Sequence, residues 1–343
     1  MNAKRILITG GAGFIGCNAA RYFRKRGWEI VLWDNLSRSG GESNLEWLRR
    51  QKDFEFRKID VRDAAAVRVA LKETPCEYVL HCAGQVAVTS SVSDPREDFE
   101  INLGGTFNLL EAVRLERPDV FFLYTCTNKV YGGMEETGIT QRGGRWEYED
   151  LPHGVSEEQP LDFHSPYGCS KGGADQYVRD YARIYGLRTV SFRQSCIYGE
   201  RQFGIEDQGW VAWFTIAHAL KRAVTIFGDG CQTRDVLFAQ DLCEAFEAAF
   251  EHSGKTVGQV YNVGGGPRNQ MSLLELIELL RVQRRYPLEY AFADWRPGDQ
   301  RVFVADIRKA ERDFGWRPRH SVAKGVERLA IWVDANLDEF RHL

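Results

Sequence analysis

Four glycines within seven residues, at positions 10, 11, 13 and 16, constrain the fold of this chain more than any other feature. They follow the short β-rich run Arg5–Thr9 and precede an amphipathic stretch over 14–25, which favours a helix. The spacing GxxGxxG permits a tight turn and lets a ligand lie close to the backbone. Because the first turn of a helix offers free amide donors and a positive dipole end, this strand–turn–helix unit is typical of a pyrophosphate-binding site.

Short β-rich apolar runs alternate with helical patterns up to about residue 195. Strands are predicted over 5–9, 30–33, 54–59, 78–82, 120–125 and 187–192, and helices over 14–25, 64–72, 99–115 and 170–185. The alternation predicts an α/β fold, with a Rossmann-type doubly wound parallel sheet. Beyond 195 the regularity weakens, and helices are predicted only near 210–222 and at Leu273–Arg284.

We therefore expect two regions. A Rossmann domain should cover 1–195 plus parts of 230–265, and a smaller C-terminal α/β substrate-binding lobe should take up mainly 196–343. Residues 132–160 form a polar insertion that is long for a compact α/β fold, as is typical of a lid or a mobile segment.

Composition narrows the class of protein. With 45 Lys and Arg against 48 Asp and Glu, the net charge is -3, so we expect no nucleic-acid partner. No two of the eight cysteines have CxxC spacing, which favours free thiols over a disulfide framework or a metal site. The first glycine comes too early for a secretory signal, and no apolar run approaches the ~20 residues that span a bilayer. We expect a cytoplasmic protein without membrane contact.

Asp34 closes the second predicted strand, 18 residues beyond Gly16. A carboxylate at this place binds the adenosine ribose diol and repels a 2′-phosphate, which favours NAD over NADP. Arg38 nearby leaves NADP open as an alternative. Asp60 follows the third strand and is placed to meet the adenine, with a plain turn aspartate as the alternative.

Tyr167 and Lys171 lie four residues apart, so on a helix they share a face. A tyrosine, with an ordinary pKa of ~10, needs a lower pKa to act as a base near neutral pH. A neighbouring ammonium favours the phenolate, so the pair suits proton removal from a hydroxyl while hydride leaves for NAD⁺. Thr127 follows the strand over 120–125, where it is placed to hydrogen-bond the substrate oxygen; a threonine that satisfies a backbone group is the alternative.

These motifs resemble those of the extended short-chain dehydrogenase/reductase family that acts on nucleotide sugars, and the resemblance runs nearly end to end. Five stretches, at 127–132, 161–171, 200–203, 207–211 and 299–307, are similar to the branch that inverts C2 of CDP-hexoses. The resemblance implies tightly held NAD⁺, transient oxidation of a ring carbon to a keto sugar, and return of hydride to its other face.

The resemblance also implies a set of ligand-binding residues. The cofactor-binding residues are Gly10, Gly13, Phe14, Ile15, Gly16, Asp34, Asn35, Ser37, Arg38, Asp60, Val61, Ala83, Gly84, Gln85, Asn102, Thr125, Tyr167, Lys171 and Gln194. The substrate-binding residues are Gln85, His164, Cys196, Gln208, Trp210, Val211, Phe227, Arg234, Arg296, Asp299 and Arg301. The arginines look like a diphosphate clamp, with surface salt bridges as the alternative. A structural loop role for His164 and core packing for Trp210 also stay open.

Asn128 and Lys129 separate this chain from the 4,6-dehydratases of the family, which carry an Asp–Glu pair after that threonine. An amide and an ammonium do not shuttle protons as two carboxylates do, so dehydration is disfavoured. We expect both residues to bind sugar hydroxyls or the keto oxygen and to help place C2 over the nicotinamide; strand-end packing and a solvated charge are the alternative. Cys196 stands where many 4-epimerases have asparagine, so that phosphate contact is lost or replaced.

The expected function is therefore NAD-dependent inversion of C2 in a CDP-hexose, with Thr127, Tyr167, Lys171, Asn128 and Lys129 as catalytic residues. A 4-epimerase acting on UDP- or CDP-hexoses and a non-catalytic NAD-binding regulatory protein are the alternatives. In the family, the helices over 99–115 and 170–185 pair across a dimer, so a homodimer or homotetramer is expected.

Overall fold

The computed structural model describes residues 3–51, 54–296 and 299–341. The strands are β1 (Arg5–Thr9), β2 (Glu29–Asp34), β3 (Phe54–Lys58), β4 (Tyr78–His81), β5 (Phe121–Thr127), β6 (Ile139–Arg142), β7 (Arg145–Tyr148), β8 (Arg188–Gln194), β9 (Cys196–Tyr198), β10 (Val224–Phe227), β11 (Thr233–Phe238), β12 (Val260–Val263), β13 (Gln270–Ser272), β14 (Tyr290–Ala293) and β15 (Val302–Phe303). The helices are α1 (Phe14–Arg24), α2 (Gly41–Gln51), α3 (Ala64–Glu73), α4 (Val88–Ser93), α5 (Pro95–Phe99), α6 (Gly105–Glu116), α7 (Ser165–Tyr185), α8 (Trp210–Ala219), α9 (Ala239–Glu251), α10 (Ser253–Thr256), α11 (Leu273–Arg284), α12 (Arg308–Phe314) and α13 (Val322–Ala335).

Within these ranges, seven parallel strands form the central sheet, in the order β12-β8-β5-β4-β1-β2-β3. The order reverses at β1, which pairs with β2 on one side and β4 on the other. At such a point the connections that follow two adjacent strands run to opposite faces of the sheet. They leave a crevice beyond the carboxyl ends of the strands, and sheets of this type bind ligands there. The predicted Rossmann-type sheet is confirmed.

Both faces of the sheet are covered, which explains why its strands are continuous apolar runs. On one face α1 packs against α9, and Phe23, Tyr78 and Phe246 are buried between them and the sheet. On the other face α3, α6 and α7 pack, with Val67 and Leu110 in the core. Each fully buried side chain of this kind stabilises the fold by about 1.5–3 kcal/mol.

The C-terminal part contributes both to the sheet and to a smaller lobe. β12 extends the sheet and α12 packs against it, although the sequence predicted neither element. The lobe consists of the β13-β11-β15 sheet with β9 at its side, the β10-β14 pair and the helices α8, α11 and α13. The predicted helix α11 is confirmed, with Ser272 and Glu275 forming a capping box at its start. The division into two domains stays a prediction.

The insertion over 132–160 contains the β6–β7 hairpin, which is anchored on the lobe. Arg145 Nε lies 2.6 Å from Glu275 Oε1 of α11, and Trp146 Nε1 donates to Asp229 Oδ2 at 2.7 Å. Tyr148 OH donates to the carbonyl of Val302 at 3.1 Å. These contacts hold the hairpin in place, whereas its length and polarity alone suggested a lid or a mobile segment.

In the described ranges, no helix combines the length and the apolar character needed to cross a membrane. The same residues contain no group of three or more His, Cys, Asp or Glu side chains arranged to hold a metal ion. All eight cysteines are free thiols.

Candidate active site

The glycine turn between β1 and α1 forms a cradle that side chains would fill. Gly10 has a φ of 64°, and a β-carbon there would lie 2.7 Å from the Ala83 nitrogen. A β-carbon on Gly16 would overlap the carbonyl oxygen of Gly10. The Gly13 N–H donates to Gly10 O at 3.0 Å, and Gly13 is the N-cap of α1. The turn therefore presents bare backbone and a helix N-terminus, as a pyrophosphate requires.

Asp34 lies at the end of β2 beside this turn. Its carboxylate accepts hydrogen bonds from Ala12 N at 3.0 Å and from Leu36 N at 2.7 Å. Burial raises the pKa of Asp34, and the backbone donors oppose that rise. The carboxylate is thus fixed next to the cradle, where a ribose diol would meet it.

Asp60 is occupied by other side chains. Arg62 Nη2 donates to it at 2.7 Å and Asn35 Nδ2 at 2.9 Å. The Arg62 guanidinium holds the pKa of Asp60 well below its usual range. These bonds favour the turn-stabilising alternative, and contact of Asp60 with adenine stays a prediction.

Asn102 fixes the loop that follows β4. It is buried in a π-helical turn, Glu100–Gly104, between α5 and α6. Its Nδ2 donates to Gln85 O at 3.1 Å, and its Oδ1 accepts from Gln85 N at 3.1 Å. A β-carbon on Gly84 would lie 2.8 Å from Asn102 Oδ1, so the loop passes directly over this amide. π-helical turns of this kind are frequent at functional sites.

His81 is a site residue that sequence reasoning missed. Its ring lies 2.7 Å from Thr9 Oγ1 and 3.0 Å from Thr106 Oγ1, which ties the end of β1 to α6 beneath the cradle. Burial lowers the pKa of His81 to about 3, so the ring is neutral at pH 7. Nothing in the apolar run over 78–82 distinguishes it from a core histidine.

Tyr167 and Lys171 share one face of α7, which begins at Ser165 rather than at the predicted residue 170. Proline is tolerated in the first turn of a helix, so Pro166 does not interrupt it. The early start places Tyr167 on the helix, with its N–H bonded to Ser91 Oγ at 3.2 Å.

The catalytic side chains meet beyond the end of β5. Lys171 Nζ donates to Thr125 O at 2.6 Å and lies 4.3 Å from the centroid of the Tyr124 ring. Burial raises the pKa of Tyr167, while its hydrogen bond with the Thr127 hydroxyl lowers it. Burial also lowers the pKa of Lys171. The expected depression of the phenol pKa is thus wrong for the protein by itself, because burial outweighs the neighbouring groups.

A cavity of about 360 Å³ opens beside these residues, between the turn Asn128–Tyr131, α4 and the lobe. Thr127 and Tyr167 line it. The predicted residues that line it are Asn128, Lys129, Cys196, Gln208, Trp210, Val211, Phe227, Arg234, Arg296 and Asp299. Further lining residues, which the sequence did not single out as binding residues, are Val86, Val88, Thr89, Ser195, Ile197, Gln202, Glu206, Asp207, Gly209, Phe214, Thr225, Gln232 and Leu273.

Three predicted substrate residues lie elsewhere. His164 precedes α7 and pairs with Asp162 at 2.8 Å. The Arg301 guanidinium stacks 4.8 Å from the centroid of the Trp146 ring. Gln85 Nε2 donates to Ala87 O at 2.6 Å. None of the three is among the described residues that line the cavity.

Four of the charged residues in the cavity wall form two ion pairs, whereas Lys129 and the exposed Glu206 form none among the described residues. Arg234 Nη2 lies 2.8 Å from Asp299 Oδ1, and Arg296 Nη2 lies 2.9 Å from Asp207 Oδ1. Among the described ion pairs none involves Lys129, whose Nζ has Gln300 Oε1 as a neighbour at 3.5 Å. Burial and the nearby Arg234 lower the pKa of this ammonium.

Gln194 and Arg38 are two further residues that the sequence predicted to bind the cofactor. Gln194, at the end of β8, keeps a buried Nε2 with no hydrogen-bond partner among the described residues. Arg38 Nη2 lies 3.3 Å from Gln208 Oε1, so it connects the β2 loop with the lobe. The open cradle, the fixed Asp34 and the unpaired amide of Gln194 fit a dinucleotide.

The family model described as GDP-mannose 4,6 dehydratase matches residues 7–329. The chain belongs to this family. It is 44% identical to the CDP-paratose 2-epimerase of Salmonella typhi, over 96% of this chain and 99% of that protein. The resemblance to nucleotide-sugar enzymes of the extended short-chain dehydrogenase/reductase type is confirmed.

Solved structures agree. UDP-glucose 4-epimerase from Thermus thermophilus, in complex with NAD, is 31% identical, with a TM-score of 0.79 over 98% of this chain and 99% of that one. UDP-glucose 4-epimerase from Thermotoga maritima, with UDP-glucose, is 29% identical, with a TM-score of 0.83 over 97% and 99%.

Proposed function

We propose that the chain is an NAD-dependent epimerase that inverts C2 of a CDP-hexose, of the type that interconverts CDP-paratose and CDP-tyvelose. The observation that carries the proposal is one wall of the cavity. Thr127 and Tyr167 line it together with Asn128 and Lys129, and the buried Lys171 donates to Thr125 O at the end of β5. The 44% identity to a CDP-paratose 2-epimerase over nearly the full chain supports the same reaction.

Each residue of this wall has a chemical task. In its phenolate form, Tyr167 accepts the proton of the sugar hydroxyl, and the Thr127 hydroxyl assists through the hydrogen bond that lowers the pKa of Tyr167. Lys171 lies on the same face of α7 and holds the end of β5 through Thr125 O, and we assign its ammonium to favouring the phenolate when the cofactor is bound. When bound, NAD supplies the hydride acceptor and later the hydride donor, so no net oxidation occurs.

The residue types at 128 and 129 disfavour a dehydratase reaction. Eliminating water from a sugar needs an acid and a base at neighbouring positions, and neither a carboxamide nor a buried ammonium serves as such a carboxylate pair. We assign the Asn128 side chain to binding sugar hydroxyls or the transient keto oxygen.

The cofactor would be held by the cradle around Gly10, Gly13 and Gly16, by Asp34, and by the loop that Asn102 fixes. The Asp34 carboxylate favours NAD over NADP because it repels a 2′-phosphate. Gln194, at the end of β8, offers its unpaired amide.

The test is to incubate the purified protein with CDP- and UDP-hexoses without added NAD and to follow epimer ratios by NMR. Inversion at C2 of a CDP-hexose is the expected result, and Tyr167→Phe should abolish it. Release of free NADH in proportion to substrate would overturn the proposal, as would inversion confined to C4.

A 4-epimerase is the second candidate, because solved UDP-glucose 4-epimerases share 29–31% identity with this chain. It predicts a product inverted at C4 in the same NMR experiment. A non-catalytic NAD-binding protein is the third reading, and it predicts no inversion of any hexose. The intact Tyr167 and Lys171 argue against it.

Self-association is part of the proposal. Large apolar side chains are exposed along α6 and α7, among them Phe107, Tyr177, Ile184 and Tyr185. The rings of Phe107 and Tyr177 lie 5.6 Å apart, so the two helices present one joint apolar face. We propose a homodimer, or a homotetramer built from it, through this face. A cytoplasmic location stays a prediction.

A further inference from the structure

Lys129 belongs to two parts of the site at once. Its backbone N–H donates to Thr127 Oγ1 at 3.3 Å, within the catalytic turn. Its ammonium lies at the other end, near Gln300 Oε1 at 3.5 Å and close enough to Arg234 for the guanidinium to lower its pKa. This one residue therefore connects the catalytic threonine, through its backbone, with Arg234 and Gln300, through its side chain.

Gln300 completes the connection. Its side-chain Nε2 donates to the backbone oxygen of Gly132, just after the catalytic turn. Its backbone carbonyl accepts a hydrogen bond from Arg234 Nη2 at 2.6 Å. Gln300 is 3% exposed. The residue before it, Asp299, forms an ion pair with Arg234. Asp299 also attracts the Lys129 ammonium, but its carboxylate is bonded to Arg234, so a single carboxylate faces two cations and this part of the wall keeps a net positive charge.

The cavity wall around this ammonium contains few anions. Asp207 is paired with Arg296, and Glu206 lies in an exposed stretch. Cys196, on the wall near Lys129 and Arg234, adds no charge because burial raises the pKa of its thiol. A partly buried ammonium whose nearest carboxylate is already bonded to an arginine is stabilised by a ligand that supplies negative charge.

We propose that Lys129 binds the sugar-linked phosphate of the substrate and thereby selects C2 as the reacting carbon. The inference rests on the proposed function and deepens it. In a nucleotide sugar the phosphate is attached through oxygen to C1, so the C2 hydroxyl is on the neighbouring carbon and the C4 hydroxyl is across the ring. A cation anchored two residues from Thr127 holds the phosphate close to the catalytic hydroxyls, and only the hydroxyl next to C1 then reaches Tyr167.

The experiment compares Lys129→Met, which removes the charge at similar volume, with Lys129→Arg, which keeps it. Lys309→Met is the matched control, because Lys309 is another partly buried lysine, on α12, whose ammonium donates to Val260 O. Calorimetry measures binding of CDP and of CMP, which lacks the sugar-linked phosphate. NMR measures which carbon of the CDP-hexose is inverted.

Lys129→Met should weaken CDP binding at least 10-fold and leave CMP binding within 2-fold, because an ionic hydrogen bond to one phosphate is lost. Lys129→Arg and Lys309→Met should bind CDP like the unmodified protein. In Lys129→Met the ratio of C2 to C4 inversion should fall, with a raised KM.

If the ratio of CDP affinity to CMP affinity is the same in Lys129→Met as in the unmodified protein, the proposed contact between Lys129 and the sugar-linked phosphate is overturned. A loss of kcat with KM unchanged would also overturn it, since the ammonium would then act on the reacting oxygen. An unchanged C2-to-C4 ratio would overturn the selection of the carbon. The calorimetric arm does not need turnover, so it still decides the phosphate contact if the unmodified protein inverts no sugar and the proposed function fails.

Discussion

Asn102 and Gln85 are joined by two hydrogen bonds of 3.1 Å in opposite directions, from Asn102 Nδ2 to Gln85 O and from Gln85 N to Asn102 Oδ1. The Asn102 side chain thus satisfies the backbone N–H and carbonyl of Gln85, which lie in the loop after β4. The π-helical turn before α6 is what places the amide there.

Asn102→Leu should therefore release this loop. It leaves two backbone groups unpaired, each costing about 1–3 kcal/mol when buried. We expect a lower free energy of unfolding and weaker retention of NAD, measured by denaturation and by the cofactor that co-purifies. Asn102→Asp keeps the acceptor for Gln85 N but places a buried carboxylate against the Asp98 carboxylate and Gln85 O, so it should rescue neither property. Equal NAD retention in all three proteins would contradict this role.

Tyr167→Phe should lower kcat by about 10²–10⁴-fold, the usual contribution of a positioned acid–base group. Nucleotide binding should change little, since the ring and its burial are kept. Because burial raises the pKa of this phenol, the phenolate becomes more populated as the pH rises, so kcat should increase with pH in the unmodified protein. A pH-independent kcat between 6 and 9, or a fully active Phe variant, would contradict the assignment.

His81 should make the fold sensitive to acid. Its pKa is about 3 in the folded protein against an ordinary value of 6.5, so the unfolded chain binds an additional proton between these values. The free energy of unfolding should accordingly fall as the pH drops below 6.5, by up to about 1.4 kcal/mol per pH unit from this residue.

The measurement is the slope of unfolding free energy against pH between 6.5 and 4.5. His81→Gln, which cannot protonate, should have a shallower slope than the unmodified protein, whatever its absolute stability. Parallel slopes would show that another group takes up the proton.

Asp175 should be essential for stability, because it pairs with Arg193 in the core. Arg193 Nη2 lies 2.7 Å from Asp175 Oδ2, and both side chains are at most 2% exposed. Asp175→Asn leaves a buried guanidinium without its counter-charge, which costs about 3–5 kcal/mol. The exposed pair Lys324–Glu327 is the control, and Glu327→Gln should change the free energy of unfolding by less than about 1 kcal/mol. A similar loss in both variants would contradict the difference in burial.

The sequence predicted those parts of the site that follow from local spacing. The glycine turn, Asp34 and the Tyr167–Lys171 pair each lie within one strand–turn–helix unit or one helix, where position along the chain determines position in space. The start of α7 was predicted five residues too late, because Pro166 and the serine before it are also typical of a loop.

Residues brought together by long-range packing were harder to predict. Arg301 matched a diphosphate clamp by its motif, yet it stacks on Trp146 of the insertion, more than 150 positions away in the chain. Gln300, beside it, reaches the catalytic turn instead. β12 was missed because its four residues, Val-Tyr-Asn-Val, are interrupted by a polar side chain and are too few to mark a strand.

The β6–β7 hairpin has a mechanical consequence. The chain leaves the catalytic turn at Gly132, runs out to the lobe where Arg145 and Trp146 are anchored, and returns to begin α7 at Ser165. Thr127 and Tyr167 therefore lie just outside the two ends of the segment 132–165, and the middle of that segment is bonded to the lobe. The two catalytic hydroxyls and the part of the lobe that lines the cavity are thus linked through this one segment of the chain.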